Sequence, residues 1–384
     1  MKTMKILYLT VPSFFDLEIS LIRELKKLVD IKVVMIVSPE SMHSSAFSID
    51  NIDKRCDIIP ASEYYGMEKY KEMVNLYDWY IANNPDNSII NSISLAYKIN
   101  KFYNENGFTL LHSTTDCKTA IMFMPYAWKI SNTLYTTHDP IPHKKPSFFR
   151  DIVHHRMMYR AMKNLLFLSD ALLEPFCKKY SISKNNIYFS RLSVYDFLRI
   201  YKESSNSYGK YILFFGKIMP YKGVDLLIDA FKKSETKKNG FKLLIAGKGI
   251  IEHDISNLDE DYIILNRYID NNELASLIRH CSFVVLPYLS ATQSGCVMSA
   301  FAFNKPIVAT NVGDLPKEII DGESGMICIP NDIEDLKSKI DKMSSTNLLK
   351  FESKIEQKYS SGSPYSWESA ALSIVNAYTQ ISRK

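Results

Sequence analysis

Gly216-Lys217-Ile218-Met219-Pro220-Tyr221-Lys222-Gly223 sets two lysines on a proline-containing loop between an apolar run and the start of a helical period. Two ammonium groups beside a helix N-terminus make an anion site suited to a diphosphate. The competing account is a pair of ordinary solvated loop lysines. Neither GxxxxGK[ST] nor GxGxxG occurs here, which removes a P-loop and a dinucleotide fingerprint. A second loop, Pro287-Tyr288-Leu289-Ser290-Ala291-Thr292-Gln293-Ser294-Gly295-Cys296, also leads from an apolar run into a helix. Its end offers hydroxyls, a Gln amide and backbone N–H groups at the positive end of a helix dipole. Gly295 lets a ligand approach the backbone closely, and Ser299 shares a face with Gly295 and Cys296. A buried, N-capped helix with no ligand is the alternative there.

Three further segments end or follow apolar runs in the first half of the chain. They are Tyr135-Thr136-Thr137-His138-Asp139-Pro140, His112-Ser113-Thr114 and Phe14-Phe15-Asp16. A histidine so placed offers a hydrogen-bonding group near neutral charge that needs no metal. The plainer reading has His138 capping its loop or bonding Asp139, and His112 serving the fold.

The elements that must position these loops alternate along the chain. Apolar runs at 5–11, 31–37, 109–112 and 132–137 predict strands, with a helical period at 17–28. After a polar stretch at 201–210 the alternation restarts. Strands are expected at 211–215, 242–246, 262–265, 283–286 and 306–309, and helices at 224–233, 272–280 and 295–303. Ser366 as N-cap and Glu368 in the first turn open a last helix. Residues 42–91 are polar and rich in Tyr and Asn, and read as an irregular insertion. This alternation predicts an α/β protein of two doubly wound domains, whose ligands bind beyond the carboxyl ends of the strands. The expected boundaries are 1–200, a linker at 201–210, a second domain at 211–362 and a closing helix at 363–384.

A chain of 384 residues suits two domains better than one. With 46% hydrophobic and 23% charged residues, general disorder is excluded. No run approaches the ~18–20 apolar residues of a membrane span, and the N-terminal run reads as a first strand rather than an export signal. Lys plus Arg number 47 against 42 Asp plus Glu, a formal charge of +5. That mild excess suits anionic small molecules or an anionic membrane surface and excludes a protein that coats nucleic acid. The segment 144–163 concentrates six Lys/Arg with a single acid, Asp151, among aromatic and aliphatic residues. It reads as a basic amphipathic helix for peripheral membrane contact, or as a helix with its apolar face on the core and its charge in water. Six scattered cysteines, with no CxxC pair and no clustered His, predict reduced thiols in a cytosolic protein and no metal site.

Other stretches accompany the two loops in a fixed order. They are Leu244-Ile245-Ala246-Gly247-Lys248-Gly249, Asn304-Lys305-Pro306-Ile307-Val308-Ala309-Thr310, Val312-Gly313-Asp314-Leu315-Pro316 and Asp321-Gly322-Glu323-Ser324-Gly325. With them, the region from Phe214 to Asp335 resembles the nucleotide-sugar-binding domain of the retaining GT-B glycosyltransferases known as family 4 or group 1. The resemblance implies GT-B architecture, two Rossmann-like domains facing a central cleft, with the last helix crossing back to the first. It implies a cytoplasmic enzyme, at the inner membrane face if 144–163 docks there, that moves a sugar from a UDP- or GDP-sugar with retention. The acceptor would be a glycan or lipid-linked saccharide, in surface polysaccharide synthesis.

No cofactor or metal is expected beyond the nucleotide sugar. Catalytic roles would fall to His138, Lys217 and Lys222. The donor diphosphate would meet Gly216, Lys217, Lys222, Ser294, Gly295 and Cys296. Arg267-Tyr268 would lie near the base, and Asp16, His112 and Asp139 on the acceptor side. Two departures from the family stand out. Lys217 occupies a position usually held by Arg, so charge is kept and a bidentate grip lost. The family's paired glutamates align with Ser299 and with Ala291 or its neighbours. Thr292, Gln293 and Ser299 would then meet the donor sugar and ribose as neutral groups. The alternatives are a GT-B nucleotide-sugar epimerase and a non-catalytic nucleotide-sugar-binding partner of another transferase.

Overall fold

The computed structural model describes residues 4–44, 46–138, 156–169, 173–202, 205, 207–291 and 294–383. Asp139, Thr292, Gln293 and residues 144–155 of the basic segment lie outside the described residues. The chain divides into two compact units, Met1–Ser193 with Pro364–Lys384, and Val194–Ser363.

In the first unit, eight short strands line up edge to edge. They are β1 (Lys5–Thr10), β2 (Asp30–Val37), β3 (Asp57–Pro60), β4 (Trp79–Asn83), β5 (Leu110–Ser113), β6 (Thr133–Thr137), β7 (Leu165–Phe167) and β8 (Ile187–Phe189). Their order is β3-β4-β2-β1-β5-β6-β7-β8. Neighbours run parallel except β3, which pairs antiparallel with β4. Burial on both faces explains why β1 and, after Lys32, β2 read as continuous apolar runs. Leu7, Leu9, Val34 and Leu111 from the strands meet Leu95, Ile99 and Phe123 from the helices Ile89–Glu105 and Lys118–Ala127 in one core.

Residues 42–91 are not an irregular insertion. They hold β3, β4 and the start of the helix Ile89–Glu105, and β4 pairs directly with β2. Trp79 and Ile81 are buried there. The segment hides because its buried aliphatic residues are scattered among aromatic and amide side chains, where β2 has a near-continuous Val and Ile run. The helix Trp367–Arg383, capped by the Ser366 hydroxyl accepting from Ser369 N at 3.2 Å, packs on the helix Phe15–Leu25 and beside β8. From the basic segment, Met158, Tyr159 and Met162 join the first unit's core while Arg156 and Arg160 face water.

The second unit carries β9 (Tyr211–Phe215), β10 (Lys242–Ala246), β11 (Tyr262–Leu265), β12 (Val284–Leu286), β13 (Ile307–Thr310) and β14 (Gly325–Cys328). All are parallel, in the order β11-β10-β9-β12-β13-β14. The chain winds one way from β9 to β11 and then crosses back to β12. That reversal opens a crevice beyond the carboxyl ends of β9 and β12, the place where doubly wound sheets take ligands. Beyond β1 and β5 the first unit has the equivalent reversal. Among the described residues, no helix is long and apolar enough to cross a membrane.

Candidate functional site

Both lysine-bearing and serine-bearing loops leave the second unit's sheet at its reversal point. After β9, Gly216 takes a φ of 109°, and the chain makes a 3-10 turn, Pro220–Lys222, that Gly223 ends at φ 67° before the helix Val224–Lys232. A Cβ on Gly223 would lie 2.1 Å from the Pro287 carbonyl oxygen, so only glycine lets the two loops meet. Leu289 N donates to the Tyr221 carbonyl at 2.7 Å and closes the seam. Gly223→Ala is therefore expected to cost about 2–4 kcal/mol through a left-handed backbone and a main-chain clash. Urea unfolding followed by far-UV circular dichroism measures the loss.

The adjacent strand braces the same loop. Gly247, at the end of β10, packs so closely that a Cβ would meet the Gly216 carbonyl oxygen at 1.9 Å. Ile218 N donates to the Lys248 carbonyl at 3.0 Å. Asn266 then clamps Gly249 in both directions, accepting from its N–H and donating to its carbonyl, each at 3.1 Å. Asn266 was not singled out by the sequence; its one signal is its position directly after β11.

On this scaffold Lys222 is half-buried and Lys217 exposed. The Lys222 Nζ lies 4.9 Å from the Tyr288 ring centroid and 3.4 Å from where a Cβ on Gly216 would sit. Cys296 Sγ reaches 3.2 Å from that same point and donates to the Phe215 carbonyl at 3.4 Å. Among the described residues, neither lysine has a carboxylate partner. An ammonium over a ring, beside half-buried glycine backbone and free of acids, is built to receive an anion. Gly216, Lys222 and Cys296 thus meet at one point.

Ser294 and Gly295 open the helix Gly295–Phe301, which is shorter than the 295–303 expected. The Tyr195 ring covers Gly295, its nearest atoms 3.3 Å from a would-be Cβ. The Ser299 hydroxyl donates to the Gly295 carbonyl at 3.0 Å and keeps its lone pairs. Arg267, exposed, forms a bidentate pair with Glu273 at 2.6 Å, with Tyr268 largely exposed beside it. Those two residues sit at the exit of β11, away from the meeting point of Gly216 and Cys296. Among the described residues, no three His, Cys, Asp or Glu side chains gather as a metal site, and all six cysteines are free thiols.

In the first unit, His138 follows β6 and stacks on Phe14 from the β1 exit, ring centroids 3.7 Å apart and nearly parallel. Its Nε2 is buried with no hydrogen-bond partner among the described residues. Burial pushes its pKa down to about 4, so the ring is neutral above that pH. His112 is different. It is fully buried, with Nδ1 2.6 Å from the Tyr378 hydroxyl and Nε2 2.7 Å from the Thr136 hydroxyl. Both nitrogens are spent inside the unit, and burial drives the pKa to about 3. Its place is beneath the strand ends, tying the last helix to the sheet.

Tyr8, whose ring packs edge-on to His112 at 4.6 Å, links it to Glu18, a carboxyl the sequence reading passed over. It is wholly buried in the first turn of the helix Phe15–Leu25, taking hydrogen bonds from the Thr10 and Tyr8 hydroxyls. Desolvation raises its pKa to about 8, against the Thr10, Thr114 and Tyr8 bonds that favour the ion. The signal available was an acid within a largely apolar stretch, Leu17-Glu18-Ile19-Ser20-Leu21-Ile22, at the start of an expected helix. Asp16 is half-buried nearby and accepts from Leu17 N at 2.9 Å.

Residues 209–346 match the family model for group 1 glycosyl transferases. An uncharacterized glycosyltransferase of Methanocaldococcus jannaschii is 33% identical over 186 residues, which is 48% of this chain and 51% of that protein. The chain thus spans about half the length of that curated relative. Two solved structures share the fold. A glycosyltransferase from Rickettsia africae aligns over 99% of both chains, with a TM-score of 0.66 and 15% identity. Anabaena HepE, solved with UDP and glucose, aligns over 98% of this chain and 100% of its own, with a TM-score of 0.67 and 14% identity.

Proposed function

We propose that this chain is a group 1 glycosyltransferase that moves a sugar, with retention, from a nucleoside diphosphate sugar to a glycan or lipid-linked saccharide in surface polysaccharide assembly. The observation that carries the reading is the Lys222 ammonium, held without a carboxylate beside Gly216 and Cys296 at the sheet reversal. Lys217 and Lys222 would neutralise the charge that builds on the departing diphosphate, and Ser294 and Gly295 would border it. Thr292, Gln293 and Ser299 would take the sugar and ribose, and Arg267 and Tyr268 the base. HepE, solved with UDP and glucose, supports a nucleoside diphosphate sugar as the donor class.

The first unit would take the acceptor, beside Asp16 and Asp139, and contribute His138. A neutral imidazole with an unused Nε2 can hydrogen-bond a sugar hydroxyl without bringing charge to the reacting centre. In a front-face reaction the bond from the anomeric carbon to the diphosphate oxygen breaks as the acceptor oxygen bonds on the same side. The acceptor's proton passes to the departing phosphate oxygen. No carboxylate nucleophile takes part. The basic segment 144–163 would bring the protein to an anionic membrane surface, and sedimentation with anionic vesicles at low salt tests that contact.

The reading is tested by incubating the protein with UDP- and GDP-sugars, with and without saccharide acceptors, and measuring nucleoside diphosphate release. Acceptor-stimulated release from one donor class is the expected result. Binding without release in any combination contradicts it and favours a non-catalytic partner. The same assay carries a pH expectation. With the His138 pKa near 4, activity should show no histidine-type loss between pH 7 and pH 5, and should fall only as pH approaches about 4.

A further inference from the structure

The Lys222 side chain ends over Tyr288, and that tyrosine is fixed from every side. The residue is 2% exposed. Its carbonyl accepts from the Thr310 hydroxyl at 2.5 Å, and its own hydroxyl lies 3.3 Å from the Ser294 hydroxyl. The residue before it backs onto Gly223, and the residue after it donates to Tyr221. The Tyr221 ring stands edge-on, 6.4 Å from the Tyr288 ring. A ring clamped in this way cannot follow a mobile lysine; the lysine must follow the ring.

An aromatic face suits this task better than a carboxylate would. It attracts an ammonium through its quadrupole and leaves the positive charge available to a second partner. A carboxylate would compete with the incoming anion. Ordering a free lysine stem costs conformational entropy, and the ring meets part of that cost before any ligand arrives. The hydroxyl contact with Ser294 joins the second loop to the same ring.

Building on the donor-site reading, we infer that Tyr288 is a positioning residue that presents Lys222 to the donor diphosphate and sets the ammonium relative to Ser294. The face of the ring orients the lysine, and the hydroxyl orients the serine. Phe should therefore keep the first function and lose the second, whereas Leu should lose both.

The test is a double-mutant cycle on nucleoside diphosphate binding, by calorimetry on the full chain without added metal. Tyr288→Leu is expected to weaken binding by about fivefold or more, and Tyr288→Phe by about twofold or less. In the Lys222→Ala background, Tyr288→Leu should add almost nothing, because the group it positions is gone. Equal loss in both backgrounds would assign Tyr288 to the fold alone and overturn the inference. A measurement without ligand guards against an unstable Leu variant. In wild-type protein with 13C-methylated lysines, the Lys222 signal, identified by its loss in Lys222→Ala, should be shifted upfield by the ring. An unshifted Lys222 signal would also overturn the inference. If Lys222→Ala weakens binding while Tyr288→Leu does not, only this inference falls. If wild-type protein binds no nucleoside diphosphate, the donor-site reading falls and takes the inference with it.

Discussion

Replacing Lys222 by Ala is expected to lower sugar transfer at saturating donor by about 10²–10³-fold, the cost of removing one preorganised charge from a developing anion. Ground-state binding should weaken far less, because the diphosphate already carries its charge before the bond breaks and much of it stays solvated. The rate falls further since the charge on the departing phosphate grows in the transition state. Lys222 sits half-buried over Tyr288, with no carboxylate among the described residues to share its charge. Lys217 is exposed on the same loop, so Lys217→Ala should cost less than Lys222→Ala. Nucleoside diphosphate release, measured for both variants at matched donor saturation, decides the order. Equal small losses would mean that the lysines act only as a diffuse positive surface.

The second large effect concerns stability. Folded, the Glu18 carboxyl holds its proton to a pH of about 8 because burial disfavours the ion. Unfolded, it ionises near the ordinary glutamate value of about 4.3. Between those pH values the unfolded chain binds fewer protons than the folded one, so the contribution of Glu18 to stability falls as pH rises. Glu18→Gln keeps the shape and cannot ionise. It is expected to gain on the order of 3 kcal/mol over wild type between pH 5 and pH 8, with the gain levelling off above pH 8. Glu318 in the second unit, also raised to about 8 by burial, adds a slope of the same sign there. The two are separable by fluorescence. Trp79, Trp128 and Trp367 all lie in the first unit, so urea unfolding followed by tryptophan emission reads the unit that holds Glu18. A wild-type curve as flat with pH as that of Glu18→Gln would mean that Glu18 is ionised in the folded protein.

What the sequence revealed follows from the range of each interaction. Strands β9, β10 and β11 coincide with the expected runs end for end; β9 and the part of β10 after Lys242 are buried and apolar throughout, and β11, half-buried at the sheet edge, keeps its Tyr-Ile-Ile-Leu run. The lysine loop was legible for a similar reason: both charges, the proline and the closing glycine fall within one segment. The ring beneath Lys222 was not legible as such. Tyr288 belongs to a different loop, and only the reversal of strand order brings it to Lys222. His112 shows the converse. Its residue type suggested chemistry, but Tyr378, from the far end of the chain, and Thr136 occupy both of its nitrogens. The buried strand β4 was hidden because Trp79-Tyr80-Ile81-Ala82-Asn83 lacks the β-branched run that marks β2.

The most direct test of the central claim is a calorimetric titration of UDP and GDP into the wild type and Lys222→Ala, without added metal. Tight binding of one nucleotide by the wild type, weakened at least tenfold, about 1.4 kcal/mol, in the variant, is the predicted result. Binding that is unchanged by the substitution would contradict the placement of the diphosphate at Lys222. Binding of neither nucleotide would leave the fold intact and remove the reason for assigning it a nucleotide-sugar donor.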